Sequence, residues 1–157
     1  MDVPISKVFS LSSKPGAAKT IYLDFNGHTM AKSNWWVKEY SYPKSTTGYT
    51  IDSNPKTFNT EERKAIAWIW AQVAEDFAAF YVNVTTKAPR KIATTLGRSK
   101  ASDKTFGAHV VITSNSRSAD ITCNSSCSGI AFVGTFDHYK NMKHGGFKDP
   151  SASTDYQ

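Results

Sequence analysis

A single amphipathic segment, residues 60–80, sets the strongest limit on the fold. Asn59 is a suitable N-cap for a helix, and Glu62 follows three positions later, as in a capping box. Its large apolar residues recur at the i, i+3, i+4, i+7 spacing of one helical face: Ile66, Ile69, Trp70, Val73, Phe77 and Phe80. Because this face is wide, we expect the helix to lie flat on a β-sheet.

Four segments around this helix have the composition or alternation of strands, namely residues 20–25, 82–86, 108–113 and 129–136. The polar, aromatic segment 28–56 is predicted as a long loop or short hairpin over the core, and the linker after residue 86 as a loop with one helical turn. The order of these strands and the helix along the chain predicts an α/β (α+β) fold. Its sheet would be mixed, mostly parallel and twisted, with four or five strands backed by one long helix.

One helix covers only one face of such a sheet. The apolar run Val110, Val111 and Ile112 predicts that its strand is buried on both faces. We therefore expect that the chain is incomplete, or that a partner or residues 35–49 supply the missing layer.

The chain of 157 residues is long enough for one domain with a core. Residues 1–17 are predicted as a flexible N-terminal arm, residues 18–136 as the folded body, and residues 137–157 as an irregular tail that is a truncated continuation of the same domain. The first 13 residues show no signal peptide, and no apolar run approaches the roughly 20 residues of a membrane span, so no membrane partner is predicted.

The net charge of +6 raises the possibility of an anionic partner. The main basic cluster lies between Lys87 and Lys104, where Gly, Ser, Thr and Ala separate the charges without helical periodicity. No aromatic residue stands among them to stack on bases. We therefore predict a solvated loop and no nucleic-acid partner.

The four histidines, at positions 28, 109, 138 and 144, include no H-E-x-x-H pair. His138 and His144 with Asp137 could be drawn as a metal site, but histidines in polar loops are usually only solvated. His109 opens a buried strand and is predicted as a hydrogen-bonded structural residue, and His28 as part of the turn at Asn26. No metal ligand is predicted in this chain.

Two cysteines, Cys123 and Cys127, flank a short polar loop. Because no C-x-x-C or H-x-x-x-H accompanies them, a local disulfide or two free thiols are favoured over a metal site. No G-x-S-x-G sequence marks a serine nucleophile. If residues 129–136 form an edge strand, that strand would bind an extended peptide by strand addition, whereas an ordinary internal strand would not.

Three stretches together resemble the N-terminal part of secreted bacterial metallopeptidases of the metzincin type. They are KTIYLDFNGHT at residues 19–29, FNTEERKAIAWIWAQVAEDFAAFYVNVTT at residues 58–86 and GIAFVGT at residues 129–135. Their order and approximate spacing match those of the family, and they span most of residues 17–136.

The resemblance implies a zincin-like N-terminal subdomain without the active-site helix. The third stretch would be the edge strand on the upper rim of the cleft, with Cys123 and Cys127 as a disulfide beside it. The substrate-binding residues would be Gly129, Ile130, Ala131, Phe132, Val133, Gly134 and Thr135. The partner would be a peptide or protein substrate.

In such enzymes the zinc ligands and the catalytic glutamate lie on the next helix, in H-E-x-x-H-x-x-G-x-x-H. This sequence contains no such motif, so no catalytic residue is carried over. The expectation is the substrate-cleft half of a secreted zinc-dependent metalloendopeptidase, whose complete form holds zinc while this chain alone binds none and is inactive. The alternative is a non-enzymatic module that binds extended peptide by edge-strand addition.

Overall fold

The computed structural model describes residues 3–30, 44–114, 128–129, 131 and 136–137. A 3-10 turn at Ile5–Lys7 precedes the regular elements. In chain order these are β1 (Lys19–Asp24), β2 (Gly27–Thr29), β3 (Ser45–Thr47), α1 (Thr60–Asp76), β4 (Val82–Thr85), α2 (Ile92–Leu96) and β5 (Phe106–Val111). Within the described residues, neither helix combines the length and the apolar character that crossing a membrane requires.

Three parallel strands form the main sheet, in the order β4-β1-β5. Strands β2 and β3 form a separate antiparallel pair, as the short-hairpin alternative for residues 28–56 predicts. The prediction of a mixed α/β chain with a mostly parallel sheet is confirmed. A sheet of four or five strands is not seen in the described part of the chain, and most of the fourth predicted strand, residues 129–136, lies outside it.

Helix α1 begins where its capping residues predict. The Glu62 backbone N–H donates to Asn59 Oδ1 at 2.9 Å, and the Asn59 N–H donates to Glu62 Oε2 at 2.8 Å. The helix ends at Asp76, earlier than the predicted residue 80, because the chain must reverse to enter β4 at Val82. The prediction that Phe80 belongs to the buried face is therefore wrong, and its side chain is 59% exposed.

The reversal after α1 is stabilised from the N-terminal segment. The Lys14 ammonium donates to the backbone carbonyls of Ala78 and Phe80. Earlier in the same segment, Ser12 pairs with Thr85 on the outer edge of β4, and Val8 is fully buried. The division of the chain into residues 1–17, 18–136 and 137–157 stays a prediction.

The two faces of the sheet differ in character. On the α1 side, Ile66 and Trp70 of the helix pack against apolar residues of β1 and β4 in one core cluster, Ile21, Leu23, Val82 and Val84. The Trp70 indole N–H also donates to the Val84 carbonyl at 2.9 Å. Helix α1 thus packs on the sheet through Ile66 and Trp70, two residues of its predicted apolar face.

The opposite face buries a group of polar side chains, and their assembly there was not predicted from the sequence. Residues alternate sides along a strand, so Tyr22 and Asp24 of β1 share this face with His109, which is in register with Tyr22 on β5. All three are buried. Leu96 of α2 approaches this face at Gly107, and His28 of β2 approaches it at His109. Some cover for the second face therefore comes from within the described chain.

Glu62 gives a pH prediction. Its buried carboxylate accepts hydrogen bonds from the Ile51 N–H at 2.9 Å and the Asn59 N–H at 2.8 Å, and these bonds, that from Ile51 first, lower the pKa of Glu62. A carboxyl group whose pKa is lower in the folded than in the unfolded chain stabilises the fold at a pH above its unfolded-state pKa. This stabilisation is lost as the pH falls through the folded-state pKa. We expect the stability difference between wild type and Glu62→Gln to shrink as the pH is lowered from 6 to about 3.

Urea midpoints followed by circular dichroism across this pH range measure the difference. Glu61→Gln is the matched control, because Glu61 is an exposed neighbour that pairs with Lys64 in the same helical turn. If both variants show the same pH dependence, the role given to the Glu62 carboxylate is wrong.

Candidate functional site

The site residues predicted from the sequence lie largely outside the described residues. Of the predicted substrate strand, residues 129–135, only Gly129 and Ala131 are described, and both are exposed. Cys123, Cys127, His138 and His144 also lie outside, so their pairing and ligand roles stay predictions. Asp137 is exposed, and its backbone carbonyl accepts a hydrogen bond from the Arg98 guanidinium.

The structure instead brings together a histidine–aspartate cluster, which consists of Asp24, His28 and His109. Asp24 is the last residue of β1, His28 is the middle residue of β2, and His109 lies in β5. One potential ligand atom from each side chain lies within 4.8 Å of the other two. Three strands thus contribute one polar side chain each to a single point.

The contacts within the cluster are short. His109 Nε2 lies 2.9 Å from Asp24 Oδ2, in a hydrogen bond between two side chains that are 0% and 6% exposed. The prediction that His109 is a buried, hydrogen-bonded residue is confirmed. The His28 ring meets the His109 ring edge-on, with centroids 4.6 Å apart, and the Tyr22 ring stacks on His109 at 5.2 Å. The His109 imidazole is therefore held by contacts from two strands.

The local sequence explains how His28 reaches the cluster. Asp24 Oδ1 accepts a hydrogen bond from the Asn26 backbone N–H at 2.9 Å, which tightens the bend after β1. Gly27 has a φ of +82°, and a Cβ there would lie 2.5 Å from the Thr46 carbonyl oxygen on β3. Glycine is thus required both by the left-handed backbone and by the close approach of β3. This turn returns the chain so that β2 carries His28 towards β5.

The pKa of the Tyr22 phenol is shifted by the same buried surroundings. Burial of its phenol, and secondarily the negative charge of Asp24, raise the pKa of Tyr22 well above its usual value. The phenol therefore stays neutral at physiological pH. The cluster, with one carboxyl group and two imidazoles, therefore lies against a neutral phenol in a mostly buried position.

Sequence reasoning missed this cluster because no short motif contains it. Asp24 and His109 are 85 positions apart, and His28 reads as a turn residue. A partial signal exists: Tyr22 and Asp24 alternate with the apolar Ile21, Leu23 and Phe25, which places two polar groups on one face of the first strand. Only the strand pairing adds His109.

The cluster has donor atoms suited to a metal ion and no nucleophilic serine or cysteine among its three members. Imidazole and carboxyl groups at these distances can ligate a metal ion or form hydrogen bonds. The chain has no match among protein-family models, curated proteins or solved structures.

Proposed function

We propose that this chain is the N-terminal, substrate-cleft half of a secreted zinc-dependent metalloendopeptidase. The observation that carries the proposal is the β1-α1-β4 unit, in which two adjacent parallel strands are joined through a helix on one sheet face. Two of the three stretches that resemble metzincins form this unit and the turn after β1. A zincin-like N-terminal subdomain would have this arrangement, with β1 at its centre.

The substrate side of the proposal rests on the position of β5. In the described part of the chain, β5 is one of the two outer strands of the sheet, and β1 pairs with only one of its edges. A strand formed by residues 129–135 could pair with the other edge of β5, the one away from β1. Its own free edge would then face an extended peptide. Main-chain hydrogen bonds would then hold a peptide or protein substrate in the cleft.

The catalytic zinc of such enzymes would polarise the scissile carbonyl and activate water. None of the four histidines lies in an H-E-x-x-H sequence, so this chain does not supply the ligands of that zinc site. No catalytic step is assigned to its residues. We expect the chain alone to be inactive.

The test compares the product of the complete reading frame with the 157-residue chain. We expect an H-E-x-x-H sequence within about a hundred residues downstream, a generous allowance for ordinary loop lengths. The longer product should cleave casein, and 1,10-phenanthroline should stop the cleavage. Absence of the motif from the downstream sequence, or chelator-insensitive cleavage, would contradict the proposal.

In the described part of the chain, no strand pairs with the edge of β5 away from β1. This edge also favours a second candidate, a non-enzymatic module that binds extended peptide by edge-strand addition. Hydrogen exchange on the 157-residue chain, combined with the cleavage assay on the complete product, distinguishes the two. Bound peptide should protect backbone amides in β5 or in residues 129–135, but not those of β4, whose outer edge pairs with Ser12 and its neighbours. Protection in the 157-residue chain, together with a complete product that cleaves nothing, would favour the module over the protease.

A further inference from the structure

We propose that Asp24, His28 and His109 form a binding site for one divalent transition-metal ion, with Zn²⁺ as its first occupant. This site is separate from the zinc site of the proposed protease and does not depend on that proposal. It is assembled by three strands within the described part of the chain.

The donor types select the class of ion. Two imidazoles and one carboxylate match the three-ligand sets that bind zinc and leave a further position for water or substrate. The same set binds Fe²⁺ in other proteins. Mg²⁺ and Ca²⁺ prefer oxygen donors, so two imidazoles disfavour them.

The distances are close to those of a metal site. Zinc-to-ligand distances of about 2.0–2.1 Å place neighbouring ligand atoms of a tetrahedral site about 3.3 Å apart. The three candidate ligand atoms lie within 4.8 Å of one another, and the His109–Asp24 pair lies at 2.9 Å. Ligation thus requires the His109–Asp24 pair to open by a few tenths of an ångström and His28 to move closer.

The ligand that must move closer, His28, lies in the shortest of the three strands that form the site. His28 is half-buried on a strand of only three residues, whereas Asp24 and His109 belong to the central and outer strands of the main sheet. The Nε2 atom of His28 is buried, so one of its two ring nitrogens already faces the interior. A small rotation of His28, together with the slight opening of the His109–Asp24 pair, can complete the site without a change in strand pairing.

The surroundings also orient the ligands. Asp24 Oδ1 is engaged by the Asn26 N–H, which leaves Oδ2 directed at His109, and Tyr22 stacks on the His109 ring. Ligating carboxylates and imidazoles in metal sites are typically held by such additional contacts. The competing explanation is a metal-free hydrogen bond that only ties β5 to β1, and it predicts no ion binding.

The experiment uses the full 157-residue chain, untagged and stripped of metal with a chelator. Isothermal titration with ZnCl₂ should show one equivalent bound, and Co²⁺ should give visible absorption bands typical of a four- or five-coordinate ion. His28→Ala should weaken Zn²⁺ binding by about 100-fold or more, since removal of a ligand costs at least as much as removal of a supporting contact. The double variant His138→Ala/His144→Ala is the matched control and should bind as the wild type does.

A measurement on the wild type avoids any dependence on whether the variants fold. With ¹⁵N-labelled histidine, Zn²⁺ should shift the ring nitrogen resonances of His28 and His109 and leave those of His138 and His144 unchanged. Absence of saturable binding, unchanged binding in a folded His28→Ala chain, or shifts confined to His138 and His144 would each overturn the proposal. None of these readouts uses proteolysis, so the site and the proposed protease function can fail independently.

Discussion

Replacing Trp70 with alanine is expected to lower the free energy of unfolding by about 3–5 kcal/mol, the usual cost of deleting a large buried aromatic side chain. Trp70 is 5% exposed and lies in the core cluster between α1 and the sheet. Its removal leaves a cavity and also deprives the Val84 carbonyl of its indole donor. Both effects act on the contact that fixes α1 to β4.

Trp68 provides the matched control because it is the same residue type on the same helix and is 65% exposed. Trp68→Ala should change the unfolding free energy by no more than about 0.5 kcal/mol. Urea unfolding followed by circular dichroism at 222 nm measures both variants in one experiment. Equal costs for the two replacements would mean that α1 presents a different face to the sheet.

Gly107→Ala is the second change with a large expected effect, about 3 kcal/mol or more, at the upper end of the range for overpacked sites. A Cβ at this position would lie 1.9 Å from the Thr20 carbonyl oxygen on β1 and 3.0 Å from Leu96 Cδ2 on α2. The first contact is with backbone, which cannot rotate away as a flexible side chain can. The strands must therefore separate to admit the methyl group.

Gly129→Ala is the control for this replacement, because no described residue lies within 4 Å of a Cβ placed there. Its free energy of unfolding in urea should remain within about 0.5 kcal/mol of the wild-type value. If Gly107→Ala were equally neutral, the register that places Thr20 opposite Gly107 would be wrong. The pair of variants thus tests the alignment of β1 with β5 directly.

The start of α1 was predictable because its determinants are local. Asn59 and Glu62 are three residues apart, and their reciprocal hydrogen bonds form within one turn. The end of the helix was not predictable in the same way, because Phe77 and Phe80 continue the apolar spacing beyond Asp76. What ends the helix includes contacts from Lys14, more than sixty positions earlier, and the need to enter β4.

The same distinction between local and long-range determinants applies to the candidate site. The bend that joins Asp24 to His28 is encoded in Asn26 and Gly27, and it was visible as a turn. The link to His109 depends on which strands are neighbours, and sequence alternation does not specify neighbours. The second sheet face was expected to need a cover from a missing part of the chain, from a partner or from residues 35–49, whereas the structure buries Tyr22, Asp24 and His109 there. The predicted substrate strand, residues 129–135, remains a prediction.

The position of β1 at the centre of the sheet has a consequence for how the chain is made. Both partners of β1 are synthesised after it, and β5 ends 87 residues beyond the end of β1, from Asp24 to Val111. At about 5–20 residues per second, a ribosome needs about 4–18 s to produce that stretch. The β1-α1-β4 unit can dock first on the emerging chain, while the other edge of β1 waits unpaired. His109 therefore arrives last, and the histidine–aspartate cluster can close only when translation has passed β5.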